Sequence, residues 1–341
     1  MNVITSNSLK QALKRRSINK MITFEDGRIA FILSTYKEHV RKKDNIFVVY
    51  PNGNFSTLKG HGTSINDIIL LKDERLLSLS EDNIIKIWSS DNTLFGTINI
   101  DKLISKVIQI GSDKLICYYA HNMYICNFKS EILHHFKSNY SIQWIMPIDD
   151  NHLILHYYRT IILINVNDSF RIVMERKVED LYEPILLYDG RIACHDKSQH
   201  IIIFSPYPLG EVIKIKHKLN NTDKLIQLHD SRLLSYHDTN ITIFSLQTYE
   251  IDFVISPSQI ISLASQLNDG RLLVLATNYI IYTINGEKQF TFGDSKDIKT
   301  ITQLRNGRVI ILSEKKMQIL QLVYGIYKAP LKCYDIFMKF I

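Results

Sequence analysis

The stretch "FEDGRIA", Phe24 to Ala30, returns along the chain in altered form as "LYDGRIA", "LNDGRLL" and "LRNGRVI". Each copy has an apolar residue, then a short polar residue, a flexible residue, a basic residue and an apolar start to the next segment. Short polar side chains hydrogen-bond their own backbone in turns, and glycine adopts a positive φ at little steric cost. The pattern therefore predicts a repeated tight turn between two strands.

Eight copies of this turn align on the residue that follows the flexible position. The aligned residues are Arg28, Arg75, Lys114, His152, Arg191, Arg232, Arg271 and Arg308, of which His152 fits least well. The turns themselves lie at 26–28, 73–75, 112–114, 150–152, 189–191, 230–232, 269–271 and 306–308. A period of about 40 residues is typical of repeat proteins, in which stacked units bury one continuous core.

Each unit contains four short segments with the pattern of β-strands. In the second unit these are "SINDIILL", "RLLSLS", "NIIKIW" and "TLFGTI", separated by polar turns. Four short strands per unit of about 40 residues indicate the blade of a β-propeller. The prediction is an all-β chain in which residues 1–341 form one propeller of eight blades, each with four antiparallel strands. The alternative is seven blades plus an extra hairpin.

One repeat, "LKGHGTSINDIILLKDERLLSLSEDNIIKIWSS" from Leu58 to Ser90, resembles the WD40-repeat family. It has the Gly-His pair and the tryptophan of that family, with Ser89 where the family usually has aspartate. No other repeat keeps both the Gly-His pair and the tryptophan. The resemblance implies a WD40-like propeller and a buried hydrogen-bond network that holds this blade together. The network residues that it implies are His61, Ser78, Asp82 and Trp88.

The two ends of the chain compete for one place in the ring. The segment "SLKQALK", about residues 8–14, is predicted to be the fourth strand of the last blade, beside C-terminal strands at about 309–323. These residues also favour a helix capped by Ser8. The tail at 326–341 is the second candidate for the same strand.

Composition excludes several classes of protein. The 341 residues are 45% hydrophobic and 22% charged, with a formal net charge of +7. This balance is typical of a soluble globular protein and is too modest to indicate nucleic-acid binding by itself. The sequence predicts no secretory signal and no membrane span. Four cysteines without zinc spacing favour a reducing compartment, so we predict a cytoplasmic location.

The sequence contains no recognised catalytic motif. P-loop, dinucleotide-binding, nucleophile-elbow and zinc-protease signatures are all missing from it. We therefore predict no catalytic residues, no metal and no cofactor. The Asp and Arg of the repeated turn recur too regularly to form one active site, and we interpret them as turn chemistry with a solvent-facing or blade-bridging charge.

Function in repeat proteins tends to lie where the copies differ. The first interval, from Arg28 to Arg75, is 47 residues long and contains an insertion at Ser34 to Asn45. Its aromatic and basic side chains suit an acidic protein or a phosphate group. The predicted binding residues are Tyr36, Lys37, His39, Arg41, Lys42, Lys43, Tyr158 and Arg159. Other residues predicted on loops of the same face are His121, Lys197, Tyr279, Lys315 and Lys316.

The predicted function is a non-catalytic scaffold that binds one or more partner proteins on a loop face of a monomeric propeller, and its basic loops suit an acidic partner. The first alternative is binding of RNA or of anionic lipid or phosphate through basic loops. The second is a propeller enzyme, a hydrolase or lyase, whose axial site takes one residue from each of several blades.

Overall fold

The computed structural model describes residues 16–35, 45–51, 54–168, 170–198, 200–207, 210, 212–215, 224–292, 298–303, 308–313 and 317–321. Within these ranges the secondary structure consists of strands, numbered β1 to β31 in chain order, and contains no helix. The strands form eight sheets, seven with four strands and one with three. In each sheet the strands pair in chain order, and the chain divides into two compact units.

The first unit comprises residues 1–119, 123–135 and 296–341 and contains most of sheets 1, 2, 3 and 8. Sheet 1 contains β1 (Arg16–Thr23), β2 (Ile29–Thr35), β3 (Asn45–Val49) and β4 (Phe55–Leu58). Sheet 2 contains β5 (Ile65–Leu70), β6 (Leu76–Ser80), β7 (Ile84–Trp88) and β8 (Leu94–Asn99). Sheet 3 contains β9 (Lys106–Ile110), β10 (Lys114–Tyr119), β11 (Asn122–Asn127) and β12 (Ile132–Lys137). Sheet 8 contains β29 (Ile298–Gln303), β30 (Arg308–Ser313) and β31 (Met317–Gln321).

The second unit comprises residues 120–122 and 136–295 and contains sheets 4 to 7. Sheet 4 contains β13 (Ile142–Pro147), β14 (His152–Tyr157), β15 (Thr160–Asn165) and β16 (Arg171–Lys177). Sheet 5 contains β17 (Leu181–Leu186), β18 (Ile192–Asp196), β19 (Ile201–Phe204) and β20 (Val212–Ile215). Sheet 6 contains β21 (Lys224–Gln227), β22 (Leu233–His237), β23 (Asn240–Phe244) and β24 (Ile251–Ile255). Sheet 7 contains β25 (Leu263–Gln266), β26 (Leu272–Leu275), β27 (Tyr279–Tyr282) and β28 (Lys288–Phe292).

The second and third strands of the four-stranded sheets are apolar and buried, whereas the fourth strands β8, β12, β16 and β24 are largely exposed. Within each unit the buried side chains form cores shared by neighbouring sheets. One core joins sheets 1 and 2, and another joins sheets 4 and 5. A central strand that is covered on both faces has apolar residues at consecutive positions, because neither face meets solvent. This explains segments such as "IIIF" in β19.

The repeated turn has the same hydrogen bonds in five described copies. In the first copy, Gly27 N–H donates to the Phe24 carbonyl at 3.1 Å, and Phe24 N–H donates to the Arg28 carbonyl at 2.9 Å. The flexible position has a positive φ in all five, +85° at Gly27 and +65° at Glu74, for example. A positive φ favours glycine, so the glycines of "FEDGRIA" and its copies follow from the backbone.

The aspartate of these five turns holds the arginine two residues later. Its carboxylate accepts the arginine backbone N–H and the Nε–H together. The Nε–Oδ2 distances are 2.6 Å for Arg28–Asp26, 2.8 Å for Arg75–Asp73, 2.8 Å for Arg191–Asp189, 3.0 Å for Arg232–Asp230 and 2.6 Å for Arg271–Asp269. Held in this way, the guanidinium group has a fixed direction and can reach beyond its own sheet.

Three of these arginines connect one sheet to the next. Arg28 Nη1 donates to the Ser90 carbonyl of sheet 2 at 2.6 Å. Arg191 of sheet 5 donates to the Tyr249 hydroxyl at 2.8 Å, and Arg232 of sheet 6 donates to the Ile284 carbonyl at 3.4 Å. The repeated Asp-x-Arg cluster is therefore a structural link between neighbouring sheets and has no need of a catalytic role.

Replacing Arg28 with methionine is expected to lower the free energy of unfolding by about 2 kcal/mol, because a charged donor is lost from two hydrogen bonds. Arg28 is only 6% exposed, and its guanidinium group also lies 4.3 Å from the centre of the Phe24 ring. The matched control is Arg171→Met. The Arg171 side chain is 75% exposed and lies 3.8 Å from Asp168, so its loss should cost less than about 1 kcal/mol. Urea unfolding measures both, and equal losses would contradict the assigned link.

The three described cysteines, Cys117, Cys126 and Cys194, are buried and reduced. Cys117 and Cys126 lie in the β10–β11 hairpin with their Sγ atoms 3.6 Å apart. Burial raises the pKa of the Cys194 thiol. These side chains therefore pack as small apolar groups.

Candidate functional site

The structure gives positions for part of the predicted binding face. The insertion residues Tyr36, Lys37, His39, Arg41, Lys42 and Lys43 lie outside the described residues, as do Lys315 and Lys316. The predicted position of Tyr279 is wrong: it is the first residue of β27 and only 3% exposed. The β26–β27 connection is tight, with Ala276 N–H donating to the Asn278 carbonyl at 3.0 Å, so β27 begins earlier than predicted.

Tyr158 and Arg159 form the two-residue turn between β14 and β15. Their φ angles are +26° and +53°, so both residues have the positive φ that a tight hairpin of this kind requires. Asn and Gly are the usual residues in such a turn, and a bulky residue there costs on the order of 1 kcal/mol. Strained backbone at a bulky, exposed pair of residues is a feature of functional sites, which makes this turn a candidate binding position.

The Tyr158 ring stacks on the ring of Tyr140, in the loop before β13. The ring centroids are 4.3 Å apart and the planes are inclined by 18°. The two residues are 54% and 47% exposed, so one side of the pair faces solvent. Stacking holds each ring in one orientation and produces a flat, rigid aromatic surface.

Hydrogen bonds fix the loops that hold the tyrosine pair. Val178 N–H, after β16, donates to the Arg159 carbonyl at 2.8 Å. Tyr140 N–H donates to the Ser138 hydroxyl at 3.1 Å, and Ser138 N–H donates to the His121 carbonyl at 2.8 Å. Ser138 is buried. Hydrogen bonds of the surrounding loops therefore hold the two tyrosines in place, as a preformed binding surface requires.

Arg159 adds a positive charge beside the aromatic pair. Its side chain is exposed, and no carboxylate of the described residues forms an ion pair with it. Lys177, which pairs across the sheet with Thr160, is likewise exposed and has no carboxylate partner in the described part of the chain. This end of sheet 4 therefore presents two aromatic rings and two cations without carboxylate partners.

A cleft lies between sheets 4 and 5, next to this surface, and has a volume of about 230 Å³. We call it the sheet 4–5 cleft. Its apolar lining is formed by Ile161, Val178, Leu181, Ile202 and Phe204. Its charged lining is formed by Arg176, Lys177, Glu179, Asp196 and Lys214. The cleft thus has an apolar interior and a rim with more cations than anions.

Asp196 is the buried charge of the cleft. Its carboxylate pairs with Lys214 Nζ at 2.8 Å, accepts the His200 backbone N–H at 2.9 Å and lies 3.3 Å from His200 Nδ1. Burial pushes the pKa of Asp196 upward, but the hydrogen bonds from Lys214 and His200 outweigh it, and the pKa lies below its usual value. The same contact raises the pKa of Lys214. Asp196 therefore stays ionised and neutralises Lys214.

Three of the four residues of the implied network meet in sheet 2. His61 Nε2 lies 2.7 Å from Ser78 Oγ, and Trp88 Nε1–H donates to the same oxygen at 2.8 Å. Asp82 is exposed and instead accepts hydrogen bonds from the Ser80 hydroxyl and the Ile84 backbone N–H, because it belongs to the tight turn before β7. Burial lowers the pKa of His61 to about 4, while the charge of Asp82 opposes that shift. The neutral imidazole is therefore part of the core.

Two further buried histidines lie on the second strands of sheets 4 and 5. His156 of sheet 4 stacks on Trp144 with centroids 5.1 Å apart, and His195 of sheet 5 stacks on Tyr182 at 5.6 Å. Trp144 Nε1–H also donates to the Leu181 carbonyl at 3.0 Å, which joins the two sheets. In the described part of the chain no three His, Cys, Asp or Glu side chains are grouped as metal ligands. These histidines are packing residues of the inner strands.

No helix of the described residues is long and apolar enough to cross a membrane. No protein-family model matches the sequence, and a comparison with curated proteins found no significant match.

Solved structures with a similar fold are WD40 propellers. The C-terminal WD40 domain of Sif2 is similar over 92% of this chain and 97% of that domain, with a TM-score of 0.66 and 10% sequence identity. Hsv2 from Kluyvelomyces marxianus is similar over 77% of this chain and 93% of its own, with a TM-score of 0.56 and 11% identity. The chain therefore has a WD40-type β-propeller fold, and the predicted fold class is confirmed. The eight described sheets are consistent with seven to eight blades.

Proposed function

We propose that this protein is a non-catalytic interaction platform, and that it binds another protein at the ends of sheets 4 and 5. The observation that carries the proposal is the exposed, stacked pair Tyr140–Tyr158, held on a strained turn beside Arg159. Tyrosine and arginine are enriched among the residues that contribute most to protein–protein binding. A rigid pair loses little conformational entropy when it is covered.

A protein partner fits this surface better than a nucleic acid or a lipid headgroup. This surface presents two exposed tyrosine rings, whereas binding to a phosphate backbone depends on many cations. The surface therefore suits a partner that covers aromatic rings and brings a small number of carboxylates to Arg159.

The test is affinity capture from cells of the source organism with the wild-type protein and two variants. Tyr158→Ala removes one ring of the pair, and we expect at least about a tenfold loss of the captured partner. Tyr188→Ala is the matched control, because Tyr188 is 67% exposed but lies in the turn at the other end of sheet 5. It should capture the partner as the wild type does. Circular dichroism establishes that each variant is folded.

Two results would count against the proposal. One is a set of captured proteins that Tyr158→Ala leaves unchanged. The other is capture that nuclease treatment abolishes, or that weakens steeply between low and high salt, because these are signs of binding to phosphate groups. A third variant, with Arg41, Lys42 and Lys43 changed to glutamate, tests the insertion as a separate contact that we propose from the sequence alone.

A further inference from the structure

We propose that the sheet 4–5 cleft binds the apolar side chain of an extended, acidic segment of the partner protein. This inference rests on the proposed function, because it names the chemistry of the partner that covers the neighbouring tyrosine pair. The partner segment would place one large apolar residue in the cleft and one or more carboxylates at its rim.

The size and lining of the cleft suit a single side chain. Its volume of about 230 Å³ is below the range of pockets that hold drug-sized ligands. Phe204 and Ile202 form buried parts of the wall, and Val178 lies at the more open side. Burying a Leu, Ile or Phe side chain against such a wall removes its apolar surface from water, so the apolar residue supplies most of the affinity.

The charges at the rim favour carboxylates beside that residue. Lys214 is already neutralised by Asp196 at 2.8 Å, and Arg176 donates to the Gly210 carbonyl. Lys177 has no carboxylate partner among the described residues, and Glu179 is the exposed acid of the lining. Charges of this kind guide the orientation and rate of binding more than its strength.

The tyrosine surface and the cleft are continuous. Val178 lines the cleft, and its backbone N–H donates to the carbonyl of Arg159 in the Tyr158 turn at 2.8 Å. The turn that carries Arg159 therefore borders the cleft. β16 is the last strand of sheet 4 and leaves a strand edge at this place, which favours an extended segment over a helical one.

The experiment uses the full-length protein and a phage-displayed library of random nine-residue peptides. We expect the selected peptides to contain Leu, Ile, Phe or Met with Asp or Glu close by. Fluorescence anisotropy with the selected synthetic peptides then measures three variants. Val178→Trp fills the cleft and should weaken binding at least about tenfold, and Lys177→Glu should weaken it about threefold to tenfold. Arg171→Glu makes the same charge change at the other end of β16 and should have no effect.

Several results would overturn the inference. They are selection of no peptides, selection of basic peptides, or acidic peptides that bind Val178→Trp and Lys177→Glu as tightly as the wild type. Lys177 is exposed, so its variant stays informative if Val178→Trp fails to fold. The cellular partner separates the two proposals. If the partner is lost with Tyr158→Ala but is still bound by both cleft variants, then the proposed interaction platform is supported and the cleft is not part of its binding surface.

Discussion

Replacing Trp88 with alanine is expected to lower the free energy of unfolding by about 3–5 kcal/mol. The side chain is 2% exposed and packs in the core shared by sheets 1 and 2 with Leu58, Ile65 and Ile68. Its removal opens a cavity between two sheets and takes one hydrogen-bond donor from Ser78, which lies at the centre of a buried polar group. Removing one member of a buried network destabilises the fold, because the remaining polar groups then have neither a hydrogen-bond partner nor water.

Two companion variants separate packing from hydrogen bonding. Trp88→Phe keeps an aromatic ring but loses the Nε1–H donor to Ser78, and we expect a loss of about 1–2 kcal/mol. Leu94→Ala is the control, because Leu94 pairs with Trp88 across β7 and β8 but is half-exposed. It should cost less than about 1 kcal/mol. Urea unfolding at constant pH measures the free energy of unfolding of all three variants. If Trp88→Ala loses no more than Leu94→Ala, then Trp88 does not have the role in the core that is assigned to it here.

Much of the fold could be predicted because each repeat satisfies the same local rules. The turn at Gly27 requires a positive φ, its aspartate hydrogen-bonds its own backbone, and the strands that follow are buried on both faces. These requirements act within a few residues and recur about every 40. They therefore appear in the sequence as aligned columns, even though only one repeat keeps the tryptophan and the Gly-His pair.

The candidate site was less predictable because its parts come from different segments. Tyr140 and Tyr158 are far apart in the chain, and their stacking depends on the frame around Ser138. The cleft exists only where sheet 4 meets sheet 5. Tyr279 differs from prediction for a related reason: a shift of one or two residues in a turn decides whether a side chain reaches the core or the solvent. Spacing along the chain does not show that shift.

The effect of pH provides a second large prediction, because buried histidines must stay neutral in the folded chain. Burial lowers the pKa of His156 to about 4, and the nearby charge of Asp180 only partly opposes that shift. The pKa of His61 is also about 4. In the unfolded chain a histidine has a pKa of about 6.5, so between these values the unfolded state binds more protons than the folded state. The contribution of these histidines to the free energy of unfolding is therefore fully present above about pH 6.5, and it is lost as the pH falls toward 4.

For His156 the expected loss between pH 7.5 and pH 4.5 is about 2.5 kcal/mol, from the difference between its folded and unfolded pKa values. His156→Phe keeps a ring against Trp144 but cannot be protonated, so its stability should fall by about that much less over the same range. His121→Phe is the control for the substitution itself, since His121 is exposed. Urea unfolding at several pH values measures this. If His156→Phe and the wild type lose equal stability, then His156 does not drive acid unfolding and burial does not lower its pKa in the folded chain.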